Sequence, residues 1–95
     1  MKKMSDLNKN YINQNFIVIS DNRQNHLLST YVGIDDRYSE KTDLTHKFSY
    51  SYTTNFRIYH GYYPLSSQKY YVLKSIDLPF DVLCIINQFI YSIYI

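Results

Sequence analysis

The stretch LPFDVLCIINQFIYSIYI, residues 78–95, has the clearest hydrophobic pattern in the chain and determines which element is predicted at the C-terminal end of the fold. On a helical wheel its apolar residues form one broad stripe and its polar residues fall opposite. The apolar stripe contains Val82, Leu83, Ile85, Ile86, Phe89, Ile90 and Ile93, and the opposite face contains Cys84, Asn87, Gln88 and Ser92. Residues 77–95 are therefore predicted to form an amphipathic helix whose apolar stripe packs against protein.

The start of this helix is well marked in the sequence. Pro79 suits a first helical turn because the amide hydrogen that it lacks has no intrahelical partner there. Asp77 and Asp81 place carboxylates near the positive end of the helix dipole. A helix of about fourteen residues is marginal in water on its own, so packing must stabilise it.

The same helix start carries a family resemblance, in the run Leu78, Pro79, Asp81, Val82, Leu83, Ile86 and Ile90. It resembles the opening of an F-box, whose family docks onto the Skp adaptor of cullin-type ubiquitin ligases. The resemblance covers residues 78–90 and implies an F-box shortened to its first helix, of the kind seen at the C-terminus of some large-DNA-virus proteins. It also implies a set of residues that contact a Skp-type adaptor: Leu78, Pro79, Val82, Leu83, Ile86 and Ile90.

Upstream of the helix, two hairpins are predicted. The β-forming runs at 16–20 and 26–32 flank a polar cluster at 21–25. Between residues 47 and 52 the aromatic residues alternate with serines, and a second strand is predicted at 56–60 after a turn at 53–55.

The remaining segments are predicted to be connections, one strand and a terminal arm. Residues 33–43 and 61–68 are expected to be loops, and residues 69–76 to be a last strand. Residues 1–15 are expected to be a polar arm, either loose or forming a short frayed helix.

Ninety-five residues suffice for one domain with a modest core. We divide it into the polar arm at 1–15, a β-rich region at 16–76 and the helix at 77–95. The predicted fold class is α+β: a small antiparallel sheet of four or five short strands, followed by one C-terminal amphipathic helix that covers one face of the sheet.

Composition narrows the possible partners and location. The net charge is +2 and the basic residues are scattered along the chain, which argues against binding to duplex nucleic acid. The single cysteine, Cys84, cannot close an intrachain disulfide, and no export signal is recognisable, so an intracellular, cytoplasmic location is expected. The surplus of Tyr, Asn, Ile and Lys is typical of an AT-rich genome.

The sequence favours a non-enzymatic protein, with no metal and no cofactor. His26, His46 and His60 are far apart in sequence and lack the close ligand pair of a zinc site. Cys84 lies on a helix flank between two apolar residues, which suits packing better than nucleophilic chemistry. The acidic residues of 33–43 lack the spacing of a calcium loop, and we expect them to be solvated: Asp35, Asp36, Glu40 and Asp43.

The aromatic and apolar segments suggest two other binding modes. Residues 82–95 would rise only about 21 Å as a helix, less than the roughly 30 Å of a hydrocarbon core, so a membrane span is not expected. The helix could still lie in a membrane interface, although its polar face lacks Lys and Arg. Strand tyrosines flanked by basic residues could stack on single-stranded bases: Tyr50, Tyr52, Tyr59, Tyr62, Tyr63, Tyr70 and Tyr71.

The function expected from the sequence is therefore that of a protein-interaction module, in the form of a shortened F-box-like segment that contacts a Skp-type adaptor. The alternative is a self-contained structural or accessory protein, or a gene remnant, in which the helix packs on its own sheet.

Overall fold

The computed structural model describes residues 1–20, 27–35 and 44–94. In these segments one antiparallel sheet contains six strands in the order β1-β6-β2-β3-β4-β5. A helix, α1, follows them at Phe80–Tyr94. The strands are β1 (Lys2–Lys3), β2 (Asn15–Ser20), β3 (Leu28–Asp35), β4 (Thr45–Tyr50), β5 (Tyr59–Pro64) and β6 (Tyr70–Lys74).

The predicted sheet of four or five strands is wrong, because the sheet has six. The additional strand is β1, which pairs antiparallel with β6 through Lys2↔Val72 and Lys3↔Tyr71. Two lysines carry no strand pattern of their own. The chain is nevertheless α+β, with its strands before its helix.

Both predicted hairpins have paired strands. Strand β2 pairs with β3, and β4 pairs with β5 from Tyr50↔Tyr59 to Thr45↔Pro64. The second strand of the latter pair lies a few residues later than predicted and occupies part of the expected loop at 61–68. Pro64 is tolerated there because β5 is an edge strand. The turn predicted at 21–25 and residues 36–43 of the predicted connection lie outside the described residues.

The N-terminal segment is an ordered part of the fold, not the loose arm or frayed helix that its polar composition predicted. After β1 come two short 3-10 turns, Met4–Asp6 and Lys9–Tyr11. Met4 and Leu7 are buried in the same core cluster as residues of four strands. Two apolar side chains therefore bring a largely polar segment onto the sheet.

The main core lies on one face of the sheet, which curls around it. Its side chains alternate along the strands with residues of the other face, and its buried members are Met4, Leu7, Phe16, Val18, Tyr31, Phe48 and Val72. Three strands separate β5 from β6 in the sheet, yet the rings of Tyr63 and Tyr70 lie 4.8 Å apart. The sheet must therefore bend so that its outer strands approach each other on the core side.

One glycine adapts β3 to this curvature. The β3–β4 register shifts between Tyr31 and Gly33, where Gly33 has a φ of 130°. Residues other than glycine rarely adopt this backbone conformation. A Cβ there would lie 3.4 Å from Cδ1 of Ile12, an ordinary van der Waals contact, so the backbone conformation and not the available space accounts for glycine.

The predicted helix is present, but it does not cover the core face of the sheet. Its first backbone hydrogen bond runs from the Leu83 amide to the Pro79 carbonyl, 3.1 Å, so Pro79 lies at the cap directly before the helix and not within its first turn, and the helix begins three residues later than the predicted residue 77. No residue of α1 belongs to the main core cluster. The helix contacts the beginning of β3 and the residues that follow β4.

The contact between α1 and the sheet is made by a polar side chain, Asn87, which is completely buried. Its Oδ1 accepts a hydrogen bond from the Leu28 amide at 2.7 Å. Its Nδ2 donates to the carbonyls of Leu28 at 2.8 Å and of Ser51 at 2.9 Å. Leu28 and Ser51 each lie two residues beyond Thr30↔Ser49, which is the last pair of the β3–β4 ladder. Asn87 therefore satisfies backbone groups just past the end of that ladder.

The predicted orientation of the helix is therefore wrong. Leu83, Cys84 and Asn87 are its buried residues, and two of them belong to the face that was expected to be exposed. The apolar stripe is turned away from the sheet by about a third of a helical turn. Buried backbone groups at the strand ends need partners, and the Asn87 amide supplies them. The side chain of Ile93 lies outside the described part of the chain.

Candidate functional site

The most unusual surface of the described chain is the side of α1 that faces away from the sheet. We call Val82, Ile85, Ile86 and Phe89 the outer face. Phe89 is 68% exposed and Ile85 is 47% exposed, while Val82 and Ile86 are half-buried. Large apolar side chains that lie together in solvent are typical of interaction surfaces.

The direction in which the outer face points is determined by hydrogen bonds on the opposite side of the helix. Asn87 fixes the rotation of α1 through its three hydrogen bonds. Cys84 packs one turn earlier and donates from its thiol to the Thr53 carbonyl at 3.2 Å. Gln88 donates to the same carbonyl at 3.3 Å. With this polar side held inward, Ile85 and Phe89 face solvent, because each lies two residues from Asn87 and is therefore rotated about 200° from it around the helix axis.

The structure divides the six residues predicted to contact a partner. Pro79 is exposed, and four are half-buried: Leu78, Val82, Ile86 and Ile90. Leu83 is only 5% exposed and packs inside its own chain, so it is not available to a partner in this conformation. Ile85 and Phe89 were predicted to lie on the apolar stripe but not to contact the partner, because the partner set follows the F-box-like run, in which these two positions are free.

The borders of the outer face are polar and weakly charged. Asp81 and Ser92 are exposed on one side of it. Before the helix, the Lys74 ammonium lies 2.8 Å from Oδ1 of Asp77. The hydrogen bond from Lys74 lowers the pKa of the Asp77 carboxyl, so this carboxylate is charged at neutral pH. An apolar strip with one polar edge is therefore available for contact.

The core holds a buried tyrosine–histidine pair. The Tyr31 hydroxyl and Nδ1 of His46 lie 2.7 Å apart, and both side chains are almost fully buried. Burial lowers the pKa of the His46 imidazole and raises the pKa of the Tyr31 hydroxyl, which keeps both groups neutral. Nε2 of His46 has no hydrogen-bond partner in the described chain. The pair is shielded from solvent and serves packing.

The other candidate groups for chemistry do not converge. His46 lies on the core face of β4, whereas His60 pairs with Ser49 and therefore lies on the opposite face. In the described segments, no three His, Cys, Asp or Glu side chains are arranged to hold a metal ion. The described part of the chain does not include His26, Asp36, Glu40 and Asp43.

The tyrosines that were candidates for base stacking pack largely on one another. The rings of Tyr50, Tyr52 and Tyr59 are stacked at interplanar angles of 17–23°. Tyr63 and Tyr70 meet edge to face next to the core. Ring faces that contact other rings are not open to bases, so these residues form a packed cluster and not an open platform.

Comparisons with known proteins add no family. No family model, no curated protein and no solved structure matches the chain. Among the described residues, no helix is both long and apolar enough to cross a membrane.

Proposed function

We propose that this protein is a non-enzymatic interaction module that binds a partner protein through the outer face of α1. The observation that carries the proposal is the exposure of Phe89 and Ile85 on adjacent turns of a helix whose other side is anchored to the sheet. An aromatic residue flanked by branched apolar side chains is a common anchor in protein interfaces.

The spacing of the outer face specifies the chemistry of the partner. Val82, Ile85, Ile86 and Phe89 occupy positions i, i+3, i+4 and i+7 of the helix. This is the pattern by which a helix lies in a hydrophobic groove of another protein. The partner should therefore present an apolar groove with room for one phenyl ring, bordered by groups that tolerate Asp81.

The partner that we propose is a Skp-type adaptor, on the basis of the F-box-like run at residues 78–90. The helix begins directly after Pro79, as the F-box resemblance implies. Val82 and Ile86 belong both to the predicted contact set and to the outer face. Leu83 is excluded from the contact by its burial, and Ile85 and Phe89 take its place. A cytoplasmic location belongs to the same proposal and agrees with the free, buried thiol of Cys84.

A second candidate function rests on the Asn87 contact. In this alternative, α1 completes its own domain and the protein is a self-contained accessory protein. The burial of Leu83, Cys84 and Asn87 against the sheet supports it. The alternative predicts that the outer face has no partner, whereas the interaction module requires one.

Calorimetric titration of the purified chain with a purified Skp-type adaptor tests the proposal. We expect the wild-type chain to bind and Phe89→Asp to weaken binding at least about tenfold, because a carboxylate would enter an apolar groove. Gln68→Asp is the matched control, since Gln68 is exposed in the β5–β6 connection. Thermal unfolding of both variants verifies that they are folded.

Two results would contradict the proposal. If the wild-type chain does not bind the adaptor, the F-box-like assignment fails and the accessory protein is favoured. If Phe89→Asp and Gln68→Asp bind equally well, the outer face is not the contact surface. Flotation of the wild-type chain with anionic liposomes would instead assign the outer face to a membrane interface.

A further inference from the structure

Four tyrosines from separate parts of the chain form a continuous stack. We call Tyr50, Tyr59, Tyr52 and Tyr91 the tyrosine stack. Its consecutive ring centroids lie 6.0, 5.1 and 4.2 Å apart. The stack joins β4, β5, the residues after β4, and the last turns of α1.

The closest pair in the stack is Tyr52 and Tyr91. Their rings are inclined by 35°, which is closer to a stacked arrangement than to an edge-to-face one. Burial raises the pKa of Tyr52, and the neighbouring Tyr91 and Tyr59 raise it further. With the two centroids only 4.2 Å apart, the rings are in van der Waals contact, so carbons of the two phenols are close enough to couple after oxidation.

We propose that Tyr52 and Tyr91 are an oxidative modification site that forms an intrachain dityrosine. The oxidant is a haem peroxidase with hydrogen peroxide. Each phenol loses one electron and one proton, and the two phenoxyl radicals join through a new carbon–carbon bond between ortho positions. The two ortho hydrogens then move to oxygen and restore both phenols. One hydrogen peroxide takes up the two electrons and two protons and becomes two waters.

We expect the oxidation to select this pair, because its two rings are in contact and one of them is accessible to an oxidant in solution. Tyr91 is 40% exposed and can meet an oxidant at the surface. Tyr63 and Tyr70 are also close, at 4.8 Å, but their rings are inclined by 65° and lie beside the core. That edge-to-face arrangement does not bring the ortho carbons of both rings together. Other tyrosine contacts in the stack have longer centroid distances.

Formation of this bond would fix α1 to the segment after β4. In the reduced chain the same junction is held by the hydrogen bonds of Asn87, Cys84 and Gln88. A covalent link across the junction restricts the unfolded chain and so stabilises the folded one. The modification would thereby lock the outer face in its exposed orientation. The inference is independent of which partner, if any, binds there.

The experiment is oxidation of the dilute full-length chain with a haem peroxidase and hydrogen peroxide. We expect a monomer whose mass is lower by two hydrogen atoms, dityrosine fluorescence, and a cross-linked proteolytic peptide pair that contains Tyr52 and Tyr91. The oxidised monomer should unfold at a higher temperature than the reduced one. Oxidation in denaturant should give no preference for this pair.

Three conservative variants make the test specific. Tyr52→Phe and Tyr91→Phe each retain a ring for packing but lack the phenol, and we expect each to abolish the intrachain product. Tyr71→Phe, on β6 and outside the stack, is the control and should leave the yield unchanged. The inference is overturned if the wild-type monomer keeps its mass, if the bond maps to another pair, or if Tyr91→Phe still forms it.

Discussion

Asn87→Leu should destabilise the protein more than almost any other change of similar size. The substitution raises helix propensity and adds only a little volume, but it removes three buried hydrogen bonds of 2.7 to 2.9 Å. It leaves the Leu28 amide and the carbonyls of Leu28 and Ser51 without the side chain that satisfied them. An unsatisfied buried polar group costs about 1–3 kcal/mol, so three groups with partial relaxation should cost about 3–5 kcal/mol. This is a large part of the total stability, about 5–14 kcal/mol, of a domain this size.

Urea unfolding followed by circular dichroism measures this cost. Asn10→Leu is the matched control because Asn10 is exposed in a 3-10 turn, and it should change the free energy of unfolding by less than about 0.5 kcal/mol. Amide hydrogen exchange gives a local readout, since the Leu28 amide should lose protection in Asn87→Leu. If Asn87→Leu is as stable as the wild type, the apolar stripe can turn inward without loss, and the reasoning about helix orientation is refuted.

Three further predictions follow from burial and charge. Leu83→Asp should cost at least about 3 kcal/mol in urea unfolding and Phe89→Asp less than about 0.5 kcal/mol; equal losses would contradict the assigned helix faces. Burial lowers the pKa of His46, so the unfolded chain takes up a proton first as the pH falls through 6.5. Stability should then fall by at most about 1.4 kcal/mol per pH unit below that point, and equal urea midpoints at pH 7 and pH 5.5 would exclude a buried neutral imidazole. Burial, reinforced by two neighbouring tyrosines, raises the pKa of Tyr63 to about 12, so its stabilising contribution should be lost as the pH rises from 10 to 12, at most about 2–3 kcal/mol. Absorbance titration should show one late-titrating phenol fewer in Tyr63→Phe than in the wild type, and no difference between the two chains would contradict the burial.

The strands and the helix could largely be predicted because their signals are local. The alternation around Phe48 and Tyr50 follows from the two-residue period of a strand, and β4 contains both residues. The helix start at Pro79 follows from the backbone chemistry of proline. Such patterns depend on neighbouring residues alone, so they predict secondary structure without knowledge of the tertiary contacts.

The sixth strand and the ordered N-terminus could not be predicted, because they depend on distant partners. Lys2 and Lys3 become a strand only because β6 offers free backbone groups beside them. Met4 and Leu7 become core residues only because the sheet curls around them. Neither the edge of β6 nor the curvature of the sheet can be read from the polar composition of residues 1–15.

The orientation of α1 could not be predicted for a related reason. A prediction from a helical wheel assumes that the side of the helix with the most apolar residues is the side that is buried. Here the unsatisfied backbone at the end of the β3–β4 ladder outweighs that preference, and Asn87 is the residue that satisfies it. The candidate site changes accordingly. Val82 and Ile86 remain in it, Leu83 leaves it, and Ile85 and Phe89 enter it.

Thiol labelling tests most directly whether α1 packs through its polar side. The native Cys84 thiol is 1% exposed and should react with a maleimide only as fast as the protein unfolds, because a buried thiol must be opened to react. In a Cys84→Ser background, the thiol introduced by Phe89→Cys should react as fast in the folded chain as in denaturant. Rapid labelling of native Cys84 together with protection at position 89 would show that the helix is turned the other way, and would contradict both the Asn87 anchor and the exposed outer face.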